Sequence, residues 1–112
     1  MSIKKYKKNS FTIVEIEIDK LDSNLSPELK SEFILLNKSQ NKNIIIDLSQ
    51  VKYCDSSGLS SLLIGNRLCK ELEGKLVLSS LQPMVLKLIK ISQLDKVLNI
   101  VESIEEAELI LA

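Results

Sequence analysis

The chain has 112 residues, of which 45% are hydrophobic and 27% charged, a length and balance that suit one compact core needing neither disulfides nor a structural metal. Fifteen basic and fifteen acidic side chains leave no net charge. That neutrality argues against a partner held by bulk electrostatics, whether nucleic acid or an anionic membrane surface.

Ile3 to Lys7 reads as a weak first strand. Lys4, Lys5, Lys7 and Lys8 form a basic run there, whose simplest role is a solvated tail or edge strand, because lysines discourage edge-to-edge pairing. Phe11 to Ile18 alternates isoleucine with glutamate, the pattern of a half-buried strand. Ser26 and Pro27 then supply an N-cap and a proline at the first helical position, opening a helix that runs to about Lys38. Asn41 to Asn43 turns the chain into Ile44–Leu48, a β-branched run suited to a buried strand. Ser49 to Asp55 is a connection, and Ser57 to Leu72 carries helical periodicity closed by Gly74 at C′. Leu76–Leu78 is a further strand, followed by a helix from about Pro83 to Ile91 with Met84, Val85, Leu88 and Ile89 on its core face. Val97–Val101 is the last strand, and Ser103 with Glu106 makes a capping box for a final helix to Leu111. Strands alternating with helices predict an α/β fold: a single domain over residues 1–112, with a mixed central sheet of about 4–5 strands, about four helices and right-handed crossovers.

The chemistry of greatest interest lies at Asp55-Ser56-Ser57-Gly58-Leu59, where the connection meets the helix. N–H groups at a helix N-terminus lack intrahelical partners, so Asp55 or Ser56 serves as the cap and the site tolerates an anion. At about 100° per residue, Ser61, Leu62, Ile64, Gly65, Leu68, Cys69 and Leu72 share one arc fit to pack on a sheet, while Asn66, Arg67, Lys70, Glu71 and Glu73 lie opposite. Leu59 and Leu63 fall by angle on the polar arc beside Ser56. Two exposed leucines next to a modifiable hydroxyl would form a partner-binding patch with a charge gate.

Ile44 to Leu59, read as Ile-Ile-Ile-Asp-Leu-Ser-Gln-Val-Lys-Tyr-Cys-Asp-Ser-Ser-Gly-Leu, resembles the signature of bacterial STAS-domain anti-sigma factor antagonists. The likeness continues through Glu73-Gly74-Lys75-Leu76-Val77-Leu78 and Pro83 to Leu98, and is weakest over the first ten residues. It implies a STAS-type fold and a cytoplasmic regulator of transcription that works by partner switching. On that resemblance Ser56 is the phosphorylation site, modified by an anti-sigma factor that is itself a serine kinase and restored by a serine phosphatase. Asp55 then shapes the site and Ser57 is the neighbouring hydroxyl, with Gly58, Leu59 and Leu63 completing the partner surface. Asp22 matches an acidic residue that the family carries at the end of an early strand. Asp19-Lys20-Leu21-Asp22 departs from the Gly-Glu-Leu-Asp of many members, and Ser23 stands where some have histidine.

Catalysis finds little support: there is no histidine, no Walker-type loop and no metal-ligand spacing, so neither enzyme activity nor a cofactor or metal is expected. Cys54 and Cys69 read as small core hydrophobes. Met1 is followed by no apolar signal segment, and no stretch approaches the roughly 20 apolar residues that span a bilayer, which predicts a cytoplasmic location. The rival readings are a non-phosphorylated STAS interaction module of a transport or other regulatory complex, which would tolerate alanine at Ser56, and a nucleotide-binding sensor using the same helix N-terminus.

Overall fold

A computed structural model describes residues 2–111. Strand β1 (Ile3–Lys8) and β2 (Phe11–Ile16) form an antiparallel hairpin in which Ile3 faces Ile16 and Lys8 faces Phe11. The chain then runs through β3 (Lys20–Leu21), α1 (Ser26–Lys38), β4 (Asn43–Asp47), β5 (Tyr53–Cys54), α2 (Ser56–Glu71) and β6 (Lys75–Ser79). It ends with α3 (Pro83–Ile91), β7 (Asn99–Val101) and α4 (Ile104–Leu111). The main sheet has the order β1-β2-β4-β6-β7, parallel throughout except for β1, so it is mixed as expected. Strands β3 and β5 make a separate parallel pair.

Alternation along β4 distributes its three isoleucines between two cores. Ile44 and Ile46 join Val14, Ile16, Leu76 and Leu78 under α1, α2 and α3, where Leu29, Phe33, Leu62, Val85 and Ile89 meet them. Ile45 points the other way with Phe11, Ile13 and Val77, covered by Ala107 and Leu111 of α4. Burial on both faces explains why β4 is a continuous apolar run rather than an alternating one. Among the described residues no helix is long and apolar enough to cross a membrane.

Several boundaries differ from the sequence reading for identifiable reasons. Strand β2 stops at Ile16 because its partner β4 ends at Asp47, opposite Glu15, and Ile18 lies outside, 37% exposed. Ser26 is the first residue of α1 rather than its cap; Leu25 precedes the helix in a right-handed conformation with no side-chain cap. The final strand begins at Asn99, since residues 94–96 form a 3₁₀ turn to which the N–H groups of Val97 and Leu98 return. The left-handed position after α2 is filled by Glu73, at φ 63°, and not by Gly74. Gly74 is needed for another reason: a β-carbon there would collide with the Lys42 carbonyl. Met84 is 66% exposed and leaves the core face of α3 to Val85 and Ile89, with Leu88 partly buried beside them, because this nine-residue helix buries only a narrow stripe. The Ser103 hydroxyl does accept the Glu106 N–H, at 3.1 Å, as a capping box requires.

Candidate functional site

The connection before α2 holds more order than its composition suggests. The N–H groups of Lys52 and Tyr53 both reach the Asp19 carbonyl, at 2.8 and 3.0 Å, and Leu21 pairs with Cys54. The Asp55 N–H then bonds the Leu21 carbonyl at 3.3 Å. This two-residue pairing, too short to give a periodic signal, sets the Leu21-Asp22-Ser23 segment directly against Cys54-Asp55.

Asp55, not Ser56, caps α2. Its backbone is extended, and its carboxylate accepts the Gly58 N–H at 2.9 Å and the Ser57 hydroxyl at 2.7 Å. The Gly58 N–H first, and the Ser57 hydroxyl second, hold the Asp55 carboxyl below the ordinary aspartate range, with further help from the backbone N–H groups of Ser57 and Ser23. The helix therefore starts at Ser56, one residue earlier than its periodicity indicated.

The two serines are placed differently. Ser57 is half-buried and its single hydroxyl proton is committed to Asp55. The buried Ser26 hydroxyl lies 2.7 Å from the Asp22 carbonyl and 3.3 Å from Ser57 Oγ; with one proton to give, it donates to the nearer carbonyl. Ser56 is exposed, and its hydroxyl bonds to no other described residue. The side chain of Asp22 is half-buried and accepts the Asn24 N–H at 3.0 Å. Asp22 also lines a shallow hollow of about 330 Å³ with Ile18, Lys20 and Glu28. Neither Asp22 nor Asp55 forms an ion pair among the described residues; each is held by hydrogen bonds, Asp22 from the Asn24 N–H and Asp55 from the Gly58 N–H and the Ser57 hydroxyl.

Three positions expected on the exposed arc of α2 lie elsewhere. Leu59 is buried in the main core with Leu21, Leu25 and Cys54, and Leu63 is half-buried against the same cluster. Asn66, expected in solvent, is buried with its Oδ1 lacking a partner among the described residues. The buried arc of α2 is thus turned by roughly 60° from the one inferred at 100° per residue. The cause is that α2 packs on two surfaces, the sheet and α1, so its apolar stripe is not centred on the sheet alone. Gly58 is also buried, and a β-carbon on it would collide with the Leu21 carbonyl and come within 2.7 Å of Cys54 Sγ. Gly58 is there to seat α2 on β3, and it offers a partner no contact.

Cys54 is buried as expected, its thiol pushed up to about 12 by burial and then by the Asp55 charge, which keeps it protonated and unreactive. Sequence reasoning missed two neighbours of the site: Ser26, which nothing in the sequence separates from an ordinary cap, and Tyr53, 51% exposed beside the cap. Among the described residues no cluster of His, Cys, Asp and Glu is arranged to hold a metal.

The sequence profile of the STAS domain matches residues 2–107. The chain belongs to the STAS-domain family. Solved structures with the same fold include a protein assigned as an anti-sigma factor antagonist from Thermotoga maritima, at 20% identity and a TM-score of 0.87, covering 97% of this STAS domain and 93% of that chain. The phosphorylated form of the Bacillus cell fate determinant SpoIIAA superposes at 15% identity and a TM-score of 0.74, covering 96% and 98% of the two chains. The murine anion transporter Solute Carrier 26 family member A9 contains a similar unit, at 17% identity and a TM-score of 0.76, covering 95% of this STAS domain but only 18% of the transporter. The structural neighbours of this STAS domain therefore include anti-sigma factor antagonists and part of an anion transporter.

Proposed function

We propose that this STAS domain is a bacterial cytoplasmic anti-sigma factor antagonist that switches partners through Ser56. Unphosphorylated, it binds an anti-sigma factor with serine kinase activity and so frees a sigma factor; phosphorylated on Ser56, it is released; a serine phosphatase resets it. The observation that carries this reading is the division of labour at α2: Asp55 caps the helix and occupies the Ser57 proton, which leaves the exposed Ser56 hydroxyl free to react. That a phosphorylated SpoIIAA shares the fold supports it.

The partner surface on this reading consists of Ser56 with Asp22, and of the outer edge of Leu63, while Asp55, Ser57, Gly58 and Leu59 hold that surface from beneath. A phosphate adds about −1.5 to −2 charge at neutral pH. The adjacent Asp55 is negative and has no ion pair among the described residues, so on this reading the new charge would have to be buried unpaired under any partner that closes over it. Such a charge is costly enough to abolish a modest affinity. The fold itself has little reason to rearrange, because the capping bonds run through Asp55 and Ser57 rather than Ser56.

Incubation with the cognate anti-sigma kinase and ATP is the test: tandem mass spectrometry should locate one phosphate on Ser56, and the modified protein should lose the kinase in a pull-down while its amide spectrum changes only near Asp55–Leu63 and Asp22. A phosphate on Ser57, or none with an active kinase, refutes the reading. The fold shared with the transporter supports a second one, an unmodified interaction module of a transport complex. On that reading Ser56→Ala behaves as the wild type, whereas on the first it still binds the kinase but is no longer released from it in the presence of ATP.

A further inference from the structure

Beyond the switch at Ser56, the two edges of the main sheet are complementary to each other. β1 and β7 are the terminal strands, each paired on one side only among the described residues. An open edge is a template for another strand unless its side chains forbid it. The β1 edge is basic: Lys5 is paired with Glu32 at 3.3 Å and Lys8 with Glu108 at 2.7 Å, but Lys4 and Lys7 are exposed and have no ion pair. Tyr6 sits between them, 40% exposed.

The β7 edge has the opposite character. It opens onto a groove of about 570 Å³ with Leu81, Leu86, Ile100 and Val101 as its apolar lining and Glu102 and Glu106 at its rim. Both glutamates are exposed, and neither forms an ion pair among the described residues. Pairing β1 with a second β1 sets lysines against lysines, which is unfavourable, whereas the glutamates beside β7 offer them opposite charges. The β1 and β7 edges therefore match each other in charge.

We infer that two copies of this chain associate head to tail, the basic β1 edge of one adding to the acid-rimmed β7 edge of the next, with Tyr6 entering the apolar groove and Lys4 and Lys7 meeting Glu102 and Glu106. Main-chain hydrogen bonds supply the adhesion, as in other cases of strand addition, and the charges select the register and partner. The contact is heterologous, so it repeats from copy to copy rather than closing on itself as a two-fold dimer. The four charged side chains lie outside the Ser56 site, and the association does not depend on the switch.

A charge exchange tests this with the whole chain. Sedimentation across the micromolar range at low salt should show mass that grows with concentration, and about 1 M salt, with a Debye length of about 3 Å, should weaken the association roughly tenfold or more. Lys4→Glu/Lys7→Glu and Glu102→Lys/Glu106→Lys should each be monomeric alone, since each then presents like charges at both edges. An equal mixture of the two should associate again, because each variant's edges match the other's. All four positions are exposed, and unchanged thermal melts of the variants confirm that folding is not at issue. A wild-type chain that stays monomeric throughout overturns the inference. So do association of either variant alone and failure of the mixture to recover.

Discussion

Two helices of this molecule begin on serine, and they use it in opposite ways. In α1 the first residue, Ser26, is buried and its hydroxyl is spent on the Asp22 carbonyl, while the preceding Leu25 contributes no cap. In α2 the first residue, Ser56, is exposed and unengaged, because the preceding Asp55 satisfies the Gly58 N–H with its own carboxylate. Same residue type, same helical position, and a different role: what decides it is whether the residue before the serine takes over the capping. A reactive hydroxyl at a helix start requires a second group to do the structural work.

The comparison is tested most severely below the surface, at Leu59, which anchors the α2 terminus in the core. Leu59→Ala should cost about 2–5 kcal/mol, read as a large drop in the denaturation midpoint at unchanged m-value. A nearly unchanged midpoint would return Leu59 to the exposed patch and undo the phasing of α2. Next comes the cap: Asp55→Ala should lower the melting temperature by a few degrees, and Asp55→Asn by less, since asparagine caps as well as aspartate. The acid limb sharpens this. Because the folded Asp55 carboxyl lies below its unfolded value, its stabilisation is fully present above the unfolded value and is lost as pH falls through the folded one. The acid limb of a stability profile should therefore flatten in Asp55→Asn. The smallest effects separate the two serines: Ser26→Ala should cost about 0.5–1.5 kcal/mol for a lost internal hydrogen bond, whereas Ser56→Ala should stay within about 0.5 kcal/mol. Equal losses at the two positions would erase the distinction.

Much of this was legible in the chain. The isoleucine run of β4, the proline-opened α1 and α3 and the capping box of α4 all declare themselves through local pattern, whereas β2, read as half-buried from its alternation, is buried on both faces, with Val14 and Ile16 in one core and Phe11 and Ile13 in the other. Asp55 could be picked out as a cap because an aspartate just before an apolar-periodic run is a helix start signal. What stayed hidden depends on tertiary partners. The β3–β5 pair is two residues long and carries no periodicity, yet it brings Asp22 to Asp55. Leu59 and Asn66 were misplaced because a helical wheel gives relative angles but no absolute direction, and α2 faces both α1 and the sheet. Periodicity likewise could not tell that Gly58 stands where two backbones nearly touch.

The other close approach, at Gly74, governs where this fold can grow. With no room for a β-carbon beside the Lys42 carbonyl, and with the Lys75 N–H held by Asn43 Oδ1 at 3.1 Å, the α2–β6 turn is locked to the start of β4. Extra residues there would have to break that crossing and shift β6 along its neighbour. The exposed Asn9-Ser10 turn of the first hairpin has no such tether, so it is the place for an inserted tag, a fluorophore or a permuted terminus, and the α2–β6 turn is the place to avoid.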